Sequence, residues 1–402
     1  MKLRNRFLRL LSVFLSVLLL SAIFAGCDLS STPGGSNSGG GGRVASLDAF
    51  DAVLPTPESL GLTENTLKNH HYNALSAEEQ ILYVAVLDSW NRGDETLNIK
   101  NVDYDALTVS LKRTVAAVYF DHPECYRYAN AYHLKGTLYP GENDDSAVIG
   151  WSPTLFCETR SEEEANLDAA LSAILSSASA LPDEYSRVKL VHDHLVNTVT
   201  YDHAALNDLD SLGPRRNSAY SALIEKAAVC GGYARAFQLL LNRLGIPCTT
   251  ISGTSEGMPH AWNLALLDGE YYLFDPTWDD AGEQLSYHYF AATTAELQKT
   301  HTFTQDFTYP TCTATACNYY VKEGFLMERY DFDDAARIVS AQKGNEAAHL
   351  KFLSKAEYDS AVKDLVKNQK WATLPEFEGQ TSIRYVGNEK YFILTLYFPS
   401  AS

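Results

Sequence analysis

The sequence predicts an α+β protein, and three observations carry that expectation. Apolar residues recur at helical spacing between Ser161 and Gly245, and fall into short extended runs between Cys248 and Asp275. The dipeptide Asp268-Gly269, a strong two-residue hairpin signal, separates the last two of those runs. Helices followed by hairpin-linked strands is the α+β order. The 402 residues are 46% hydrophobic and 20% charged, enough for a sizeable core and about two to three domains. A formal charge of −18, from 32 basic against 50 acidic side chains, argues against a nucleic-acid partner, whose backbone needs clustered Lys and Arg. Seven cysteines are too few for a disulfide scaffold, and an odd number cannot all pair.

Taken in order, residues 1–26 have the parts of an export signal. Lys2, Arg4, Arg6 and Arg9 precede an apolar stretch from Leu10 to Phe24, and small residues follow. That stretch is short of the about 20 residues of a spanning helix. Phe24-Ala25-Gly26-Cys27 resembles the lipobox of bacterial lipoproteins, with Phe24 where Leu is more usual. The resemblance implies cleavage before Cys27 and its lipidation, hence an exported chain anchored through lipid to the outer face of the bacterial cytoplasmic membrane or cell envelope. Residues 27–46 then form a tether: 28–43 hold six Gly and four Ser in sixteen positions, with a reach of about 20 Å.

Residues 47–160 are expected to form an α+β region. Ser76-Ala-Glu-Glu79 is a capping box ahead of Ile81, Leu82, Val84, Val86 and Leu87, with Gly93 as the stop. A second helix is expected from Asp103 to Phe120, then extended runs on either side of the turn Gly141–Asp145. The main domain is placed at 161–310. Ser161-Glu-Glu-Glu164 opens one helix, Tyr185 to Val199 mark the next, and a third starts near Cys230 and stops at Gly245. Strands are expected at Cys248–Ser252, His260–Leu267 and Tyr271–Asp275. Residues 311–402 read as an α+β appendage: a helix from Asp333 to Gln342, an extended run at His349–Leu353, a helix from Lys355 to Lys367 and a hairpin across Gly387-Asn388.

Three blocks carry unusual residue choices. In AAVCGGYARAFQLLLNRLGIPC, Cys230 sits at the first turn of a helix, where backbone N–H groups favour a thiolate. MPHAWN puts His260 at the start of a strand, and YYLFDPTWDD puts Asp275 at the end of the next. With Asp268 and Gly269 as the two loop residues, His260 falls opposite Thr277, and Asp275 lies diagonal on the same face within hydrogen-bond reach. A sulfur nucleophile, an imidazole that takes and returns a proton, and a carboxylate that fixes its tautomer are the parts of an acyl-transfer site.

At these residues the sequence resembles the transglutaminase-like superfamily, whose papain-like core carries Cys, His and Asp in that chain order. The resemblance covers about Ser186 to Asp280, the motif core 186–280, through HDHLVNTVTYD, VCGGYARAFQLLLNRLGIPC, SGT, HAWN and DPTWDD. It is closest to the bacterial, kyphoscoliosis-peptidase-like branch. It implies Cys230 as nucleophile, His260 as general base and acid, and Asp275 as the orienting carboxylate, acting on a protein or peptide substrate with cell-wall peptide among the candidates. It implies a cysteine protease or amidase where water is the acceptor, and a cross-linking transglutaminase where a lysine amine is. A surface binding module on the same fold is the reading of another class.

The Cys230 N–H is the expected oxyanion donor, and a second is not legible. Trp262 and Trp278 suit an acyl channel or the core, Tyr233 suits the site or packing, and Tyr201-Asp202 is read as scaffold. No metal or cofactor is expected: His192 and His194 are two apart on a helix and point to different faces, and no acidic loop of calcium-binding spacing occurs. Cys248 reads as a core thiol. The pairs Cys125 with Cys157 and Cys312 with Cys317 are open for bridges in an exported chain.

Overall fold

The computed structural model describes residues 45–399 apart from 52, 65, 129–137, 141–145, 209–211 and 281–285. The export signal, Cys27, residues 28–44 of the tether and the turn Gly141–Asp145 lie outside the described residues. Two compact units divide the chain. One runs to Gly269 and takes in Asp275–Thr277 and Thr300–Pro310; the other holds Glu270–Phe274, Trp278–Lys299 and the chain from Thr311.

In the first unit, α1 (Ala77–Arg92) starts on the expected capping box, with Ser76 and Glu79 each accepting the other's backbone N–H, and ends at Gly93 with φ 77°. Next comes β1 (Thr96–Ile99), a strand too short for its alternation to register in sequence. α2 (Tyr104–Asp121) is capped by Asp103. β2 (Leu138–Pro140) and β3 (Ala147–Gly150) complete an antiparallel sheet in the order β1-β3-β2. Leu82, Val86 and Trp90 of α1, Leu107 and Val118 of α2, and Ile99 and Ile149 of the strands share one core.

α3 (Arg160–Ser179) begins just ahead of the expected Ser161, because Thr159 is the cap, accepting from Glu162 N–H. Asp183 caps α4 (Glu184–Thr198), and β4 (Thr200–Tyr201) pairs in parallel with β5 (Ala227–Ala228) just ahead of α5 (Cys230–Arg243). β6 (Cys248–Ser255) and β7 (Met258–Leu267) are antiparallel and longer than the sequence suggested. Asp268 and Gly269 have φ 49° and 82°, the paired left-handed residues of a type I′ turn, before β8 (Glu270–Phe274). An unexpected short strand, β9 (His301–Phe303), pairs with β6 on the edge that β7 leaves open.

Buried polar side chains join α5 to the end of α2. Arg235 is fully buried, donates to the carbonyls of Tyr119 and His122, and stacks its guanidinium 3.9 Å above the Tyr119 ring. Gln238 Nε2 donates to Phe120 O at 2.7 Å. A cation and an amide thus satisfy the last carbonyls of α2, where the helix dipole is negative. The N-terminal helices thereby brace the helix that opens with Cys230.

In the second unit, β10 (Leu326–Met327), α6 (Phe332–Ala341), β11 (Ala347–Phe352), α7 (Lys355–Ala361), β12 (Arg384–Asn388) and β13 (Ile393–Tyr397) follow in order. The sheet runs β10-β11-β13-β12, with Leu350, Leu394, Ile338 and Leu365 in its core. Gly387-Asn388 is not the hairpin turn: both residues lie within β12, paired with Leu394 and Ile393. A Cβ on Gly387 would come within 2.2 Å of the Tyr358 hydroxyl, so glycine serves a close approach there, and the chain turns at 389–392.

Among the described residues no cysteines are bridged. Cys125, Cys157, Cys230, Cys248, Cys312 and Cys317 are all thiols. Cys125 lies beside Asn91 and Cys157 beside the Tyr220 hydroxyl. Burial pushes the Cys125 and Cys248 thiols up, and that of Cys312 up to about 11, which leaves them inert.

Candidate active site

The N-terminus of α5 is set by its surroundings. Val229 N–H donates to Arg216 O at 3.0 Å, and Arg216 is held by Asp202 at 2.7 Å and by Glu225. A Cβ on Gly232 would meet Arg216 O at 2.4 Å and Ala228 Cβ at 2.7 Å. The second glycine of the Cys-Gly-Gly run is therefore what lets the helix enter so close to this backbone. Helix N-termini leave N–H groups without intrahelical acceptors, and that of Cys230 donates to the Tyr201 hydroxyl oxygen. Tyr201 is positioned by the β4–β5 pairing, opposite Ala228, two residues before Cys230. Burial, then the neighbouring Cys230 and Asp275, push its hydroxyl well above the usual tyrosine range. The Tyr201-Asp202 pair thus supports the start of α5 at two points: Tyr201 touches Cys230 and Asp202 holds Arg216.

On the sheet, His260 of β7 pairs with Gly253 of β6, and His301 of β9 pairs with Ser255. Gly253 and Ser255 are two apart on one strand, so the imidazoles arrive from its two sides onto the same face. Their ring centroids are 5.4 Å apart. His260 Nε2 stands 2.7 Å from Asp275 Oδ2. His301 Nε2 stands 2.9 Å from the same oxygen. His260 is also hydrogen-bonded to the Cys230 side chain; with Nε2 engaged on Asp275, the nitrogen facing the sulfur is Nδ1. Cys230, His260 and Asp275 therefore meet in sequence, sulfur to imidazole to carboxylate.

Electrostatics follow from this packing. Burial alone would lower the His260 pKa, but the Asp275 charge and hydrogen bond, with those of Cys230, push it up to about 10. Burial would raise Asp275, yet His260 and His301 hold it well below the usual carboxylate range. Asp275 is completely buried. Ligand-type atoms of His260, Asp275 and His301 lie within 4.8 Å of one another, the one such group among the described residues. The spacings of 2.7 and 2.9 Å are hydrogen bonds, shorter than the about 3.3 Å between two nitrogen or oxygen donors on one tetrahedral zinc.

The remaining sequence candidates separate clearly. Trp262 is fully buried, T-shaped against His301 at 5.0 Å and Phe303 at 5.2 Å, and so is core beneath the site. Trp278 is half-buried against Tyr289. Tyr233 is packing: it is buried and donates to Val199 O at 3.1 Å. His192 bonds Asp193, and His203 lies against Tyr201, so no histidine cluster forms on α4. Sequence reasoning misses His301, which stands well past Asp275 on the short strand β9 with no motif around it.

Comparison with known proteins agrees with this architecture. Residues 174–276 match the family model of the transglutaminase-like superfamily core. The chain carries a transglutaminase-like domain, the helix-and-sheet core described above. The kyphoscoliosis peptidase of Homo sapiens is 27% identical over 127 residues, and that of Mus musculus 25% over the same length. These alignments take in 29% of this chain, which spans 18% of the length of those curated relatives. A solved structure of a TGase overlaps 37% of this chain and 45% of its own, at 20% identity and a TM-score of 0.29.

Proposed function

We propose that the protein is a lipid-anchored, extracytoplasmic thiol hydrolase, a cysteine protease or amidase acting by acyl transfer through Cys230, His260 and Asp275. The observation that carries this reading is the His260 imidazole, bonded to the Cys230 side chain on one nitrogen and to Asp275 at 2.7 Å on the other. Cys230 Sγ attacks the carbonyl carbon of an amide with the proton of the sulfur–imidazole pair already on His260 Nδ1. The oxyanion forms beside the Cys230 N–H and the Tyr201 hydroxyl, which can turn its own proton toward it. His260 passes its proton to the departing amine, leaving a thioester, and then draws a proton from water as that water cleaves the thioester. Asp275 keeps the imidazole in one tautomer throughout.

Export and anchoring rest on the segment up to Cys27: a basic start, the apolar run from Leu10 to Phe24, and a cysteine at the lipobox position. The partner that suits such a tethered site is a protein or peptide at the cell surface, cell-wall peptide included. A Cys230→Ala protein should lose hydrolysis of a mixed peptide-amide pool. Full activity in that variant would remove the assignment, and binding without turnover in the wild type would favour a surface binding module.

A further inference from the structure

Asp275 Oδ2 serves two imidazoles, and His260 is the one bonded to the sulfur. A carboxylate can only accept, so both Nε2 atoms facing it, at 2.7 and 2.9 Å, carry a proton. Thr300 Oγ1 closes the other nitrogen of His301 at 2.8 Å. The His301 side chain is fully buried and its ring is set edge-on to Trp262, so its orientation is fixed by packing as well as by hydrogen bonds. Acyl transfer needs only the first imidazole.

We propose that His301 is a positioning residue of this site, fixing the Asp275 carboxylate from a second direction and drawing off part of its charge. The inference rests on the acyl-transfer reading above. Without the His301 N–H the carboxylate keeps a freer Cβ–Cγ torsion and directs more of its charge at the His260 ring. Such a ring holds its proton more firmly and returns it less readily to a leaving amine. A second N–H on the same oxygen restrains the torsion and weakens the pull on His260. Cys230 of α5, Tyr201 of β4 and His301 of β9 are titratable groups that face the pair. Losing the His301 N–H should therefore make His260 more basic.

The test is the pH dependence of iodoacetamide alkylation at Cys230, read by mass spectrometry on the intact chain, which needs no knowledge of the substrate. Wild type should show an alkaline inflection that His260→Ala abolishes. His301→Phe should move that inflection up by about one pH unit, whereas His301→Gln, whose amide N–H reaches the same oxygen, should leave it near the wild-type value. Thr300→Val should move it in the same direction by less, which decides the matter if His301→Phe does not fold. Profiles of His301→Phe and Thr300→Val that superimpose on wild type would overturn the proposal, as would His301→Gln shifting as far as His301→Phe. A wild type that labels no faster than free cysteine and shows no His260-dependent inflection would instead remove the acyl-transfer reading beneath it.

Discussion

His260 Nε2 and Asp275 Oδ2 are 2.7 Å apart, a contact between two residues separated by fifteen positions and a single two-residue turn. Its length and complete burial at the carboxylate make it a charge-assisted hydrogen bond in a dry setting, the kind whose loss is felt in both stability and chemistry. Asp275→Asn should lower peptide-amide turnover by about 10³ to 10⁴, because an asparagine amide can present a donor and select the wrong imidazole tautomer. Steady-state rates with the substrate binding constant in parallel would check it, the loss falling on turnover.

The same contact sets a pH dependence of stability. The folded His260 pKa, about 10, lies above the ordinary 6.5, so its contribution is fully present below about pH 6.5 and is lost as pH rises through about 10. Asp275 is held low, so its contribution is present above the ordinary carboxylate pKa and is lost as pH falls. The melting temperature gap between wild type and His260→Ala should be widest near pH 5 to 6.5 and close above about pH 10. A gap that does not change with pH would contradict the assigned ion pairing.

Arg235 makes a separate prediction about the scaffold. Arg235→Met keeps much of the side-chain length but strips the Tyr119 and His122 carbonyls of their buried donor. Destabilisation of about 2 to 4 kcal/mol is expected from two unsatisfied buried groups and the lost stacking. Urea unfolding would show it as a lower midpoint with an unchanged slope.

Gly232→Ala tests how closely the nucleophile helix is seated. The added methyl would meet Arg216 O at 2.4 Å, so either α5 or the short helix Leu212–Arg216 must shift. A cost of about 1 to 3 kcal/mol is expected, together with slower alkylation of Cys230, since its N-terminal turn moves with the shift. Labelling rate and melting temperature measured on the same sample would separate the two effects.

How much of this can be read in the sequence differs from element to element. Cys230, His260 and Asp275 are legible because each sits in a short block of unusual composition and the Asp268-Gly269 turn fixes the spacing of the last two. The long helices are legible through caps such as Ser76 and Asp103. His301 is not, because the few residues of β9 have no periodicity and only tertiary pairing with β6 carries the ring to Asp275. Tyr201 is visible but its role is not: the β4–β5 pairing that points it at Cys230 joins segments well separated in the chain, and parallel pairing leaves no turn signature. Gly387 misleads for a related reason, since a glycine required by a neighbouring Tyr358 hydroxyl looks in sequence like a turn glycine.

Acyl transfer through Cys230 requires a covalent acyl intermediate on its sulfur, which mass spectrometry of the intact chain after brief exposure to a mixed peptide-amide pool and acid quench would detect. A thioester adduct is expected that maps to Cys230, is absent from Cys230→Ala and is released by hydroxylamine. Turnover of the pool with no adduct at Cys230, or with Cys230→Ala as active as wild type, would contradict it.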